Sequence, residues 1–310
     1  MLPLSKTNEG PVTMTERVGF SVRRIWQIAG NTFTESLRQK VYNILLIFAL
    51  VVIASASFFA QFALGEDIAQ TASYELKSIK DTCFGALSVI GMLIAVVGTA
   101  MLLPNELENR TIYTILSKPV RRVEFLLGKY FGTVLLTLVS VVLMSVMFGA
   151  ELAFKEARLV ADVRAEYAHQ PVPADSQQLT QQIAKIRAEA FDPDIVKAVL
   201  LIFVKLCLLA AIALLVSTFS TSMVFNVAVT LLVFFAGHMV GTAREAWQDH
   251  AFLTYLLGIL PDLGLFNVAD DIILGNVIPW AHVGKVAAYG GIYLSCVVGA
   301  AHLIFANREI

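Results

Sequence analysis

The residues best suited to chemistry lie in one polar stretch, Asn105–Gly132, which separates two strongly apolar regions of the chain. Glu106 precedes Arg110 by four residues, which is the order and spacing that favours an ion pair on one face of a helix. Three apolar residues share this predicted helix: Ile112, Ile115 and Leu116. Pro119 ends it, because a proline disfavours helical geometry in the residue before it. An apolar patch rimmed by charge suits docking of a soluble protein, but an ordinary basic loop has a similar composition. The residues alone leave both interpretations open.

Catalytic and metal-binding motifs do not occur in the sequence. It contains no HExxH, no GxSxG and no Gly-rich phosphate loop ending in GK[ST], and its five histidines are scattered. The cysteines, Cys83, Cys207 and Cys296, lie in or beside apolar runs without close spacing, which predicts free, buried thiols. A net charge of −1 gives no electrostatic basis for binding nucleic acid. We therefore expect a chain that is not an enzyme and binds no metal or cofactor itself.

The elements that must position the polar stretch are long apolar segments. The chain is 57% hydrophobic and 15% charged, whereas soluble domains carry about 25% charged residues. Runs of about 20 apolar residues cross a bilayer as helices, because lipid offers the backbone no hydrogen-bond partners. The sequence thus predicts an all-α integral membrane protein with six transmembrane helices. Their approximate bounds are 41–63, 84–103, 130–153, 195–217, 220–240 and 284–306.

An amphipathic segment precedes the first span and follows a polar tail, residues 1–16, that we expect to be flexible and not a cleavable signal. Its apolar residues recur every three or four positions: Val18, Val22, Ile25, Ala29, Phe33 and Leu37. This spacing predicts an interfacial elbow helix at the membrane surface. Gly30 suits a helix end and Thr32–Glu35 fits a capping box, which together predict a bend near Gly30. The alternative is one long helix, since a single glycine costs only about 1 kcal/mol.

The distribution of basic residues predicts the orientation. They cluster before the first span, between the second and third, and after the last: Arg17, Arg23, Arg24, Arg38, Lys40, Arg110, Lys118, Arg121, Arg122, Lys129 and Arg308. Placing these segments inside follows the positive-inside rule, which puts both termini in the cytoplasm and the protein in the cytoplasmic (inner) membrane.

The segments that then lie outside include two regions with predicted helices. Residues 154–194 form an extracytoplasmic insert, for which we expect a helical hairpin, with Pro193 in the first turn of span four. Residues 251–260 are too short to span, which predicts short helices in the outer leaflet before span six.

Two polar side chains within the spans are candidates for contacts along a pathway or between helices. Lys205 lies in span four, where the apolar residues repay the cost of about 2.5–3.5 kcal/mol for inserting a lysine at a helix centre. Insertion therefore requires no special role, although intramembrane charges usually face a cavity or the bundle interior. For Asn226 in span five, a hydrogen bond between helices is the simplest interpretation.

The polar stretch also carries a pattern of motifs. These are Asn105–Thr111 (NELENRT), Ile115–Arg122 (ILSKPVRR) and Glu124–Lys129 (EFLLGK). The pattern resembles the permease subunits of ABC transporters of the type-2, exporter-like class. The resemblance extends to the elbow helix, the six spans, the short turn Ser217–Ser222 and the C-terminal Phe305–Glu309. The insert at 154–194 is longer than in the minimal form of the family.

The resemblance implies that a coupling helix joins spans two and three and docks on a cytoplasmic ATP-binding cassette ATPase subunit. Its docking residues would be Glu106, Glu108, Arg110, Thr111, Ile115 and Leu116. The anchors at its ends would be Lys118, Pro119, Arg121, Arg122 and Lys129. ATP and Mg would then be bound by the ATPase subunit, and a second permease chain, in a homodimer or heterodimer, would enclose the export pathway. The alternative is a membrane scaffold that recruits a cytoplasmic complex without transporting anything.

Overall fold

The computed structural model describes residues 21–62, 68–102, 121–169, 176–247 and 258–307, and these residues form helices but no strand. The helices are α1 Val22–Leu37, α2 Lys40–Ala54, α3 Ala56–Ala60, α4 Ile68–Ala100, α5 Arg122–His169, α6 Ser176–Ala190, α7 Asp194–Phe219, α8 Met223–Ala246, α9 Ala269–Leu274 and α10 Trp280–Asn307. A 3-10 turn, Gly264–Phe266, precedes α9.

Among the described residues, six helical segments are long and apolar enough to cross a membrane, which confirms the predicted fold class. Two of the helices extend well beyond the predicted spans. The α4 helix begins at Ile68 rather than near residue 84, and α5 runs from Arg122 to His169 rather than from 130 to 153. Apolar runs mark only the part of a helix that lies in lipid. The flanking segments contain several Ala, Glu, Lys and Arg residues, which are good helix formers, so each helix continues past its apolar run.

The centre of the bundle is formed by α4 and α7. In the most apolar window of each of these spans, 72% of the residues are buried, whereas the values are 28% for the α2–α3 and α8 spans and 22% for α10. The α10 helix packs on α7, while α2 packs on α4 and α5. The outer spans therefore present much of their apolar surface away from this chain.

The elbow helix differs from its prediction in two respects. It is a single helix through Gly30, so the bend near Gly30 and the capping box at Thr32–Glu35 are wrong and the one-helix alternative is right. The chain turns instead after Leu37, where Gln39 is extended. The buried face of α1 also differs from the predicted apolar face, because Thr32 is fully buried while Val22 is 57% exposed. Packing along α5, described below, outweighs the small cost of one glycine.

The predicted helical hairpin in the 154–194 insert is confirmed, but its first arm is the continuation of α5. Its second arm, α6, packs back on α5 and on α4. Pro193 immediately precedes Asp194 and already has helical backbone angles, so it takes part in the first turn of α7 as predicted. Of the short elements predicted before span six, the turn Gly264–Phe266 and α9 are present, while residues 248–257 lie outside the described part of the chain. The tail 1–16 also lies outside it, and the position of these elements relative to a bilayer stays a prediction.

Candidate functional site

The predicted docking surface lies largely outside the described residues, which end at 102 and resume at 121. This applies to Glu106, Glu108, Arg110, Thr111, Ile115, Leu116, Lys118 and Pro119. Three predicted anchors, Arg121, Arg122 and Lys129, are described. They lie at the start of α5, where it meets α1 and the end of α10. We call this junction, formed by residues 121–132 with α1 and the end of α10, the base.

A buried carboxylate organises the base. Glu124 is fully buried, and its Oε1 accepts a hydrogen bond from the backbone N–H of Ser21 at 2.7 Å. Its Oε2 accepts from the backbone N–H of Arg121 at 3.2 Å and lies 3.5 Å from Nε of Arg24. The bond to Arg121 is half of a capping box, in which the third helical residue reaches back to the residue before the helix. Glu124 thereby ties the start of α5 to the start of α1.

Arg122 connects the same turn of α5 to the end of α10. Its Nη1 donates to the backbone oxygen of Ala306 at 2.8 Å and of Phe305 at 3.3 Å. The last carbonyls of a helix lack partners within the helix and carry partial negative charge, so a guanidinium is a suitable donor there. The rings of Phe125 and Phe305 stack beside this contact with centroids 6.2 Å apart.

Lys129 adds a contact with the other end of α1. Its Nζ lies 3.8 Å from Oε2 of Glu35, and 5.8 Å from the centre of the Phe125 ring. The side chain of Lys129 is almost fully buried, while that of Glu35 is about half exposed. The three described anchors therefore lie at one junction, although Arg121 takes part in the contact with Glu124 through its backbone.

Two glycines allow α1 to lie unusually close to α5. A Cβ added at Gly128 would lie 2.6 Å from Cβ of Ile28, and one added at Gly132 would lie 2.6 Å from Cβ of Thr32 and 2.8 Å from the backbone oxygen of Ala29. Distances this short leave no space for any side chain. Gly128 and Gly132 form a GxxxG pair, the spacing that lets two helix backbones approach in a membrane.

Glu124, Gly128 and Gly132 are not among the predicted site residues, although the sequence contains signals for them. The glutamate has the capping-box position relative to the start of α5, and the glycines have GxxxG spacing. Neither signal identifies the helix that these residues contact. That helix is α1, about 100 residues earlier in the chain.

The two intramembrane candidates make contacts between helices. Nζ of Lys205, which is 1% exposed, donates to Oγ of Ser88 in α4 at 2.6 Å and lies 5.9 Å from the centre of the Phe234 ring in α8. Nδ2 of Asn226 lies 3.5 Å from the backbone oxygen of Ala100, at the end of α4. Both side chains connect to the central helix α4, and a role along a pathway stays a prediction for each.

The remaining candidate chemistry is sparse in the described part of the chain. No group of three or more His, Cys, Asp or Glu residues there is arranged to hold a metal ion. Cys83 and Cys207 are buried as predicted, but Cys296 is exposed on α10. The prediction failed for Cys296 because an apolar run has the same composition on its inner and its outward-facing side.

Comparison with known proteins gives one family. A family model described as "ABC-2 family transporter protein" matches residues 60–306, which is most of the chain. The match begins at the end of α3 and includes the polar stretch, the base residues of α5 and α10, and both central helices. No curated protein matches the chain.

Proposed function

The chain belongs to the ABC-2 family of transporter proteins, and we propose that it is the permease subunit that couples substrate movement to ATP hydrolysis by a separate cytoplasmic ATPase subunit. The observation that carries this proposal is the family match over residues 60–306, which includes the stretch between α4 and α5. Six apolar helices long enough to span a membrane agree with a membrane transport component.

The base supports a coupling role for the polar stretch. The stretch enters α5 at Arg121, and the first turn of α5 is bonded to α1 through Glu124 and to α10 through Arg122. The hydrogen bonds of the buried Glu124 with backbone N–H groups contribute about 1.5–3 kcal/mol each, whereas the donation of Arg122 to Ala306 is exposed and contributes less. A displacement of the docking helix by the ATPase would therefore move the start of α5 together with the neighbouring ends of α1 and α10.

In this proposal, each chain has a defined task. The ATPase binds ATP and Mg, and this chain contributes the docking residues and its share of the pathway. A second permease chain, identical or different, completes the enclosure. Transport proceeds as export from a cytoplasmic membrane in which both termini of this chain face the cytoplasm.

The docking surface can be tested by adding charge to its apolar patch. In the Ile115→Asp/Leu116→Asp variant, we expect at least tenfold less ATPase subunit to copurify with the tagged full-length chain, since two carboxylates would have to be desolvated at the interface with the ATPase. The matched control is Ala165→Asp/Ala168→Asp, two exposed positions at the far end of α5. Unchanged copurification and unchanged ATPase stimulation in the Ile115/Leu116 variant would refute the docking assignment.

The same preparation separates a coupled permease from a scaffold. A coupled permease changes the rate of ATP hydrolysis by the ATPase subunit when the two are reconstituted in lipid vesicles. A scaffold binds the ATPase and leaves that rate at the value measured for the ATPase alone. Equal rates with and without the chain would therefore contradict coupling even if copurification is retained.

A further inference from the structure

A lysine-rich cavity lies at the end of the molecule opposite the base. It has a volume of about 270 Å³ and is enclosed by α4, the last turns of α6 and the α9 helix with Gly275 after it. Its charged lining consists of three lysines and two carboxylates: Lys77, Lys80, Lys185, Glu189 and Asp192. We propose that this cavity binds a phosphate-bearing anion. The inference does not depend on the proposed function.

Lys80 is a buried lysine without a close ion-pair partner among the described residues. The residue is 4% exposed and lines the cavity, so its ammonium group has lost most of its contact with bulk water. Within the described residues, no carboxylate lies within 4 Å of its Nζ, and its attraction to Asp192 and Glu189 acts over a longer distance. A buried charge without a close partner is costly unless another charged group offsets it. An anion in the cavity would provide that partner.

The lining of the cavity has more positively than negatively charged side chains. Lys77 precedes Lys80 by three residues, so two like charges share one face of α4, and Lys185 faces the same cavity from α6. The described residues offer neither Lys77 nor Lys185 a carboxylate within 4 Å. Two carboxylates oppose the three lysines, and one oxygen of Asp192 already accepts a hydrogen bond from the backbone N–H of Asp194 at 2.9 Å. The lining therefore carries one excess positive charge.

Size and surroundings indicate what kind of anion fits. The volume is below the range of about 300–1,000 Å³ for sites of drug-sized ligands, but is sufficient for a phosphate or a lipid headgroup. Exposed apolar side chains lie beside and shortly after the cavity lining in the chain: Leu274 at the end of α9, Val277 after it, and Trp280 at the start of α10. Tryptophans are enriched where apolar spans meet the headgroup region. The phosphate can therefore come from a phospholipid or from solution.

The test uses the full-length chain purified in detergent and its thermal unfolding midpoint. The probes are inorganic phosphate, short-chain phosphatidylglycerol and, as a probe without phosphate, the matching diacylglycerol, all at constant ionic strength. We expect a saturable rise in the midpoint with a phosphate-bearing probe, since a ligand that binds only the folded state stabilises it. In Lys80→Met the apparent affinity should fall at least tenfold, because one charge-assisted hydrogen bond is lost.

The matched control is Lys285→Met, which removes an exposed lysine of α10 that does not line the cavity, and it should titrate as the wild type does. If Lys80→Met does not fold, Lys77→Met/Lys185→Met replaces two more accessible lysines and should show the same loss. A response to the lipid alone identifies a headgroup site, and an equal response to inorganic phosphate identifies a site for the free anion. The proposal is overturned if no phosphate-bearing probe gives a saturable rise, if the diacylglycerol gives an equal one, or if the cavity variants that fold titrate as the wild type does.

Discussion

The two ends of α5 are built in different ways. At its start, Glu124 is fully buried and bonded to two backbone N–H groups, and Gly132 holds the α1 backbone at close distance. Beyond the apolar part, Lys155 pairs with Glu75 at 2.9 Å in a largely buried contact. The next residue, Glu156, pairs at 3.0 Å with Arg187, whose side chain is 61% exposed.

This difference bears on what each end can transmit. Buried contacts with backbone atoms fix the relative positions of α1 and α5, since water cannot replace either partner. An ion pair with an exposed partner is screened by salt and contributes little, because solvent competes for the exposed group, here Arg187. The start of α5 is therefore suited to passing on a displacement, whereas the contact between α5 and α6 at Glu156 is suited to adjusting its position.

The largest expected effect follows from filling the close contact in the base. In Gly132→Ala the added Cβ would lie 2.8 Å from the backbone oxygen of Ala29, so α1 must shift. We expect the free energy of unfolding in mixed micelles to fall by about 3 kcal/mol, the upper part of the range for overpacking. If α1 carries the coupling, stimulation of the ATPase by this chain should also decrease.

Gly149→Ala is the matched control on the same helix. No atom lies within 4 Å of a Cβ added there, so the free energy of unfolding should change by less than about 1 kcal/mol. If the two alanine variants have the same stability, the close approach of α1 is not what holds the base together.

A smaller effect is expected when the buried carboxylate loses its charge. Glu124→Gln keeps the shape of the side chain, but replaces one acceptor oxygen by an NH₂ group that faces a donor and removes the ion pair with Arg24. Hydrogen bonds to charged groups contribute about 1.5–3 kcal/mol, so we expect a loss of about 2 kcal/mol in the free energy of unfolding.

The matched change in the part of α5 beyond its apolar run is Glu156→Gln, which removes the charge that pairs with the exposed side chain of Arg187. Its effect should be below about 1 kcal/mol and should decrease further when the salt concentration is raised. The loss in Glu124→Gln should stay nearly constant with salt, because the site is buried. Equal losses with equal salt dependence would mean that the two ends of α5 do not differ in the way proposed.

The parts of the fold that the sequence predicted are those set by local composition. Six apolar runs were sufficient to identify six spans, and the spacing of apolar residues identified α6, the second arm of the hairpin. The bend at Gly30 was predicted wrongly because the local preference of glycine was weighed without the contact between α1 and α5, which involves residues far apart in the chain.

The candidate site was predictable to a smaller extent for the same reason. Motifs within residues 105–132 located the stretch and three residues of its base, but Arg122 binds carbonyls that lie more than 180 positions later. Such partners depend on how helices assemble, and a single sequence records them only as separate residues. The docking helix itself stays a prediction.

The smallest expected effect concerns that long-range contact. Arg122→Met keeps an unbranched side chain and removes both donations to the end of α10, so the free energy of unfolding should fall by about 1 kcal/mol. The loss should be local, because the carbonyls of Phe305 and Ala306 belong to the last turn of α10 and that turn loses its partner. Hydrogen exchange should therefore accelerate in residues 303–307 and remain unchanged in α7. Arg164→Met, at an exposed position of the far part of α5, is the control and should leave exchange in α10 unaltered. If Arg122→Met also leaves that exchange unaltered, the end of α10 is held by the stacking of Phe125 on Phe305 alone, and the base is then connected to α10 by apolar packing rather than by charge.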